Sequence, residues 1–268
     1  CRRLGQHLET SRPADALGRF TEGCTFGDAV SCGGQGRMTA PTDAAAAAPL
    51  LSQGCDAGDA ESCALLGRLN ADGAFPRATP AAADRAWSRA CQAFDHAESC
   101  GRLGIRQHAR GEDETAEPLL AIACRGGFAP ACAAFGDVQA ARGDAQEASR
   151  SFRQARFAFM RACGRRDGAA CVGVAELYRG GRGVPASESS AAQWLLRGCA
   201  SGGADRERCL AAGLAAGRPD ARLAVPVLRP SCEQGEVRAC TALARIVPQR
   251  ERAAVARRAC ALGAPESC

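Results

Sequence analysis

At 268 residues the chain suits one or two ordinary domains, or a repeat array, which grows by length and needs no single core. Hydrophobic content of 46% comes mainly from Ala, Leu and Val, and aromatics at 4% leave little material for stacking bases or sugars. The net charge of +5 is entirely arginine, with acids interspersed almost one for one, which describes a solvated mixed surface and excludes a nucleic-acid stripe.

The 17 cysteines set the order of everything else. They recur as pairs eight apart: Cys24 with Cys32, Cys55 with Cys63, Cys124 with Cys132, Cys163 with Cys171, Cys232 with Cys240, and Cys260 with Cys268. Cys91 with Cys100 and Cys199 with Cys209 are looser copies, and only Cys1 is left over. Zinc sites need closer C-x-x-C pairs or nearby histidines. Here there is no C-x-x-C, and the three histidines (His7, His96, His108) sit at unrelated repeat positions. Disulfides therefore account for the pairs, and with them an oxidising, extracytoplasmic compartment: periplasm, cell surface or secreted. No initiator Met, signal peptide or long apolar run occurs, so a removed targeting segment is expected.

Aligned on the first cysteine of each pair, the preceding segment has a register. Four residues earlier stand Phe20, Leu51, Trp87, Leu120, Phe159, Leu195 and Leu228; eight earlier stand Ala16, Ala47, Ala83, Ala116, Ala155, Ala191 and Ala224. The last copy slips, with Arg252 and Ala256 there. Such an i, i+4, i+8 row is one buried helical face, that of helix B. Pro13, Pro41, Pro80, Pro185 and Pro219 suit its start, whereas Pro49, Pro118 and Pro226 fall inside it and predict shorter B helices in those units. After the second cysteine comes helix A, with Leu66, Leu103, Val174 or Leu243 three residues on. Gly5, Gly67, Gly104, Gly136 and Gly213 follow one place later, where a neighbouring helix must cross closely.

Between the paired cysteines, Gly27, Gly58, Gly127, Gly235 and Gly263 stand where a left-handed residue ends helix B, and Ser31, Ser62, Ser99 and Ser267 are placed to cap the next A helix. The predicted architecture is an all-α solenoid of eight disulfide-stapled units, 1–31, 32–62, 63–99, 100–131, 132–170, 171–208, 209–239 and 240–268, with an extended B helix from Asp144 to Cys163 in the fifth.

The pattern resembles the Sel1-like repeat proteins, and more narrowly their cysteine-rich secreted branch, which carries a C-x7-C bridge, a C-x-x-L-G opening and a G-x-G-V turn. The closest stretch is Cys171-Val-Gly-Val-Ala-Glu-Leu-Tyr178-Arg-Gly-Gly-Arg-Gly183-Val184, followed by Ala191, Trp194 and Cys199. Most units lack the full turn and two corners are longer. The resemblance covers the whole chain and implies a right-handed α/α superhelix related to tetratricopeptide arrays, acting as a non-catalytic adaptor.

Some members of that branch are described as penicillin-binding or weakly β-lactam-hydrolysing, so a cell-envelope enzyme of that type is the competing expectation. The usual Ser-x-x-Lys chemistry is impossible in a chain without lysine. No catalytic residue, metal site or cofactor is expected. Binding is assigned to helix A, five residues past the opening cysteine and off the packing row: Gln6, Arg37, Arg68, Asp137, Glu176 and Arg245. This mixed-charge groove suits a protein or extended peptide, and a monomer without nucleic acid is expected. Membrane association would come only through Cys1, which either opens a truncated first repeat or is a lipidation site, as at the mature end of a bacterial lipoprotein.

Overall fold

The computed structural model describes residues 2–215, 220–265 and 268. Cys1, Pro219 and Ser267 lie outside the described residues, and with them the two readings of Cys1, one helix start and one cap. Sixteen helices form among the described residues, alternating A and B. The A helices are α1 (Arg2–Leu8), α3 (Ala29–Thr39), α5 (Ala60–Ala71), α7 (Ala97–His108), α9 (Ala129–Ala141), α11 (Gly168–Arg179), α13 (Arg206–Ala215) and α15 (Val237–Ile246). The B helices are α2 (Pro13–Thr25), α4 (Ala44–Asp56), α6 (Pro80–Phe94), α8 (Asp113–Arg125), α10 (Ala145–Gly164), α12 (Glu188–Ala200), α14 (Ala221–Glu233) and α16 (Gln249–Ala261). Two compact units divide the chain, residues 1–142 and 143–268. The first holds hairpins α1/α2, α3/α4, α5/α6 and α7/α8 followed by α9; the second opens with α10 and continues with α11/α12, α13/α14 and α15/α16.

The B-helix register is the core. All seven alanines from Ala16 to Ala224 are fully buried, and the large residues one turn on, from Phe20 to Leu228, are at most 9% exposed. Burying a Leu or Phe stabilises by about 1.5–3 kcal/mol. The partner surface is the glycine of helix A. A Cβ on Gly67 would stand 2.2 Å from Trp87 Nε1, one on Gly5 2.8 Å from Phe20, and one on Gly213 2.7 Å from Leu228. Trp87 and Leu228 thus lie flat on the backbone of their own A helices, Phe20 is wedged between Gly5 of its own A helix and Gly34 of the next, and Phe159 lies against Gly173 of the A helix that follows. Trp87 uses that approach to donate its indole N–H to the Ala64 carbonyl at 3.3 Å. In the last hairpin the slipped register leaves Ala259 as the one buried residue described for α16.

The B-to-A corners share one geometry. At the first, Gly27 N–H donates to the Cys24 carbonyl and Asp28 N–H to the Gly23 carbonyl, both at 3.0 Å, with Gly27 at φ +84°. This is a Schellman ending, and the same two bonds recur around Gly58, Gly127, Gly235 and Gly263. Across each of the seven B-to-A corners a bridge joins the last turn of B to the first turn of the next A, at Cα–Cα distances from 4.5 Å (Cys24 to Cys32) to 5.5 Å (Cys199 to Cys209), and an eighth joins Cys260 on α16 to Cys268 at 5.0 Å. Those spans are normal for a disulfide.

Two expectations need correcting. Helix A starts three residues before the second cysteine: α3 begins at Ala29, ahead of Cys32, and α11 at Gly168, ahead of Cys171. Asp28 and Asp167 are the caps, accepting from Val30 N–H at 3.2 Å and Ala170 N–H at 3.0 Å. Ser31, Ser62 and Ser99 lie inside the first turn, fully buried. The Ser31 hydroxyl donates back to the Asp28 carboxylate at 2.8 Å, and that of Ser62 to Asp59. The B helices with an interior proline are also not shortened: α4, α8 and α14 run 13 residues, like α2, α12 and α16. Pro49, Pro118 and Pro226 sit on the exposed side of their helices, as do the residues four earlier, Ala45, Glu114 and Arg222. On that side a carbonyl that lacks its N–H donor is open to solvent hydrogen bonding, so the proline costs the helix less than it would in the core.

Candidate functional site

The six predicted groove residues occupy one register on six A helices: Gln6 on α1, Arg37 on α3, Arg68 on α5, Asp137 on α9, Glu176 on α11 and Arg245 on α15. Their surroundings differ. Arg37 is only 16% exposed and spans three consecutive hairpins. It donates to Glu9 at 2.8 Å, to the Asp59 cap of α5 and to Ser62 at 3.4 Å, while stacking over the Phe20 ring at 5.9 Å. Arg68 reaches Glu98 on α7 at 3.3 Å. Glu176 accepts from Arg179 at 3.0 Å and from Arg208 on α13 at 2.5 Å. These three are therefore rungs of a ladder from one A helix to the next. Asp137 is half-buried, and Gln6 and Arg245 are exposed.

The ladder makes a direct stability prediction. Removing the Arg37 guanidinium strands Asp59 (13% exposed) and Glu9 without their cation. Arg37→Ala is expected to lose about 2 kcal/mol in urea unfolding, whereas Gln6→Ala and Arg245→Ala stay within about 0.5 kcal/mol. Equal costs at all three positions would mean that Arg37 holds nothing together.

Acidic side chains on neighbouring hairpins complete the electrostatics. Burial by itself would raise the Glu98 carboxyl. The hydrogen bond from Arg102 and the charges of Arg102, Arg68 and His96 outweigh it and hold the group below the usual carboxylate range. Asp84 on α6 behaves alike: burial raises it, but Arg110 at 2.5 Å and Arg106 at 2.6 Å bring it down. A depressed carboxylate contributes stability that is fully present above its unfolded value, near pH 4, and is lost as pH falls through the folded one. The thermal midpoint is thus expected to hold between neutrality and about pH 5 and to fall steeply below about pH 4. Asp84→Asn should lower the neutral value and flatten that acid limb; an unchanged limb would remove Asp84 from the account.

The histidines serve locally. His96 caps α7, its Nδ1 accepting from Ser99 N–H at 3.2 Å, and His108 Nδ1 lies 2.5 Å from Asp113. His7 is exposed on α1. No group of three or more His, Cys, Asp or Glu side chains able to hold a metal occurs among the described residues.

No protein-family model matches the sequence, and no curated protein matches it. Solved structures do. The protective antigen c5321 of uropathogenic Escherichia coli strains, displaying an SLR fold, is 15% identical over 94% of this chain and 65% of its own, with a TM-score of 0.45. A Sel1 repeat protein from Oxalobacter formigenes is 18% identical over 94% and 88%, with a TM-score of 0.38. The C-terminal part of a TPR repeat-containing protein from Cytophaga hutchinsonii is 12% identical over 99% and 97%, also with a TM-score of 0.38. This chain spans just under two thirds of the Escherichia coli antigen's length.

The chain is thus similar to Sel1-like and TPR-like repeat structures. Its A and B helices alternate, seven bridges cross the B-to-A corners from Cys24–Cys32 to Cys232–Cys240, and an eighth joins Cys260 on α16 to Cys268. Each A helix carries its off-row position at the same register. Eight bridges form and persist in an oxidising environment. No helix among the described residues is long and apolar enough to cross a membrane.

Sequence reasoning missed one surface. The run Arg250 to Arg258 holds four arginines, but Glu251 lies within it and pairs with Arg229 at 2.8 Å. Residues 149–166, on α10 and its corner, carry six arginines and no acid. Counting acids together with bases in a sliding window finds this stretch at once.

Proposed function

We propose that the protein is a non-catalytic scaffold that binds a protein or extended peptide in the periplasm, at the cell surface or outside the cell. The observation that supports this most is the clamped corner. Each corner bridge holds a B helix against the next A helix, so within each unit the off-row positions of successive A helices keep fixed spacing and offer a partner a preorganised surface. Gln6 and Arg245 are the exposed members of that register, and Glu176 borders it with Arg208. A lipid on Cys1 would add membrane attachment to the same role.

Cross-linking in native envelope extract followed by mass spectrometry tests the reading. The expected product is a protein cross-linked near the A-helix register and released by a Glu176→Ala/Arg245→Ala double substitution. Covalent labelling by a fluorescent penicillin would instead point to the envelope enzyme and overturn the scaffold.

A further inference from the structure

The excess positive charge is concentrated on α10 and the corner that follows it. Residues 149–166 hold Arg150, Arg153, Arg156, Arg161, Arg165 and Arg166, while the other 28 arginines of the chain face 29 acids. Outside this stretch the protein is close to neutral. Helix α10 buries Ala148, Ser151, Phe152, Ala155 and Phe159. Its opposite side turns Phe157 (66% exposed) and Met160 (40% exposed) to solvent, beside the exposed Arg153 and Arg161. The Arg161 guanidinium stands 5.9 Å from the centre of the Phe157 ring. Arg150 is paired with Glu147 at 2.6 Å. Arg153, Arg156, Arg161, Arg165 and Arg166 have no ion-pair partner among the described residues, unlike the ladder arginines Arg37 and Arg68. Two shallow depressions follow the same face. One is lined by Ala145, Gln146, Ser149, Arg150 and Arg153, the other by Arg150, Arg153, Gln154 and Phe157.

We propose that the outer face of α10 docks an acidic amphipathic segment of a partner protein. Its carboxylates meet Arg153 and Arg161, and its apolar side chains cover Phe157 and Met160. Unpaired arginines around an exposed aromatic ring call for an occupant that is both acidic and apolar. The mixture of arginines without an ion-pair partner and the exposed Phe157 and Met160 on one helical face matches a chain segment that carries carboxylates beside apolar side chains, and an anionic membrane is the competing outcome of the test. This inference rests on the scaffold reading but moves docking from the A helices to a B helix.

The test uses the full chain with its bridges intact and a synthetic amphipathic peptide, glutamates on one helical face and leucines on the other, read by fluorescence anisotropy at two salt concentrations. Binding is expected, weaker at higher salt, and reduced roughly tenfold by Arg153→Glu/Arg161→Glu. Phe157→Ala should also weaken it, while the helical circular-dichroism signal stays that of the wild type in every variant. Failure to bind the peptide, equal binding by the variants, or binding of phosphatidylglycerol vesicles in place of the peptide would each overturn the proposal. Partner capture through the A-helix register, undisturbed by the α10 substitutions, would overturn it too and leave the scaffold reading standing.

Discussion

Reduction of the bridges in the native buffer is expected to unfold the protein, with most of its helical signal lost at temperatures where the oxidised form is intact. Each corner closes a loop of about nine residues, worth roughly 2.5 kcal/mol in the chain-entropy account. Only a few such closures equal the entire net stability of an ordinary domain, about 5–15 kcal/mol. Much of the core is too small to replace them: the seven register alanines each contribute one methyl group, and several hairpins, such as α3/α4 with Leu51, bury a single large side chain. Bridges with nearly inaccessible sulfurs, such as Cys55–Cys63 with both residues at most 4% exposed, should resist reductant longest. The Cys260–Cys268 bridge, whose Cys268 is exposed, should open first. Circular dichroism during a reductant titration reads the result. A reduced protein with an unchanged thermal midpoint would mean that the helices hold themselves together.

The second large effect is steric. A methyl group on Gly67 would lie 2.2 Å from Trp87 Nε1 and 2.4 Å from Cδ1, far inside contact distance, and Trp87 is 2% exposed with no room to withdraw. Gly67→Ala is therefore expected to cost about 3 kcal/mol, despite the better helix propensity of alanine. Gly18, exposed on α2 with nothing within 4 Å of its would-be Cβ, supplies the opposite sign. There Gly→Ala should stabilise by about 0.5–1 kcal/mol. Combining Gly67→Ala with Trp87→Leu should recover part of the loss, since Leu51 and Leu120 pack at the same place over Gly36 and Gly104. Additive losses in that double variant would show that the two residues do not share one contact.

How much of this could be read from the sequence follows from how local each device is. The corner is local: a cysteine, a left-handed glycine and a second cysteine within nine residues specify it, so pairs such as Cys24 and Cys32 were legible directly. The B register was legible because a helix repeats its buried face at a fixed spacing, and Gly67 opposite Trp87 is the long-range counterpart of that pattern. The start of helix A was misread by three residues because Asp28 and Ser31 both have capping chemistry, and only burial tells the cap from the residue that braces it. Pro49, Pro118 and Pro226 looked disruptive because each was charged the full cost of an interior proline, although the legible register already sets them opposite the buried row. Least legible was the groove. Arg37 and Glu176 share a register with Gln6 and Arg245, but their partners lie 22 and 32 residues further along the chain. Only the stacking of hairpins brings those partners within reach.

Non-reducing peptide mapping by mass spectrometry tests the central claim most directly. The account predicts eight bridges, each closing its own corner: 24–32, 55–63, 91–100, 124–132, 163–171, 199–209, 232–240 and 260–268. Free thiols at these positions in protein recovered from its native compartment, or bridges linking cysteines of different corners, would contradict it.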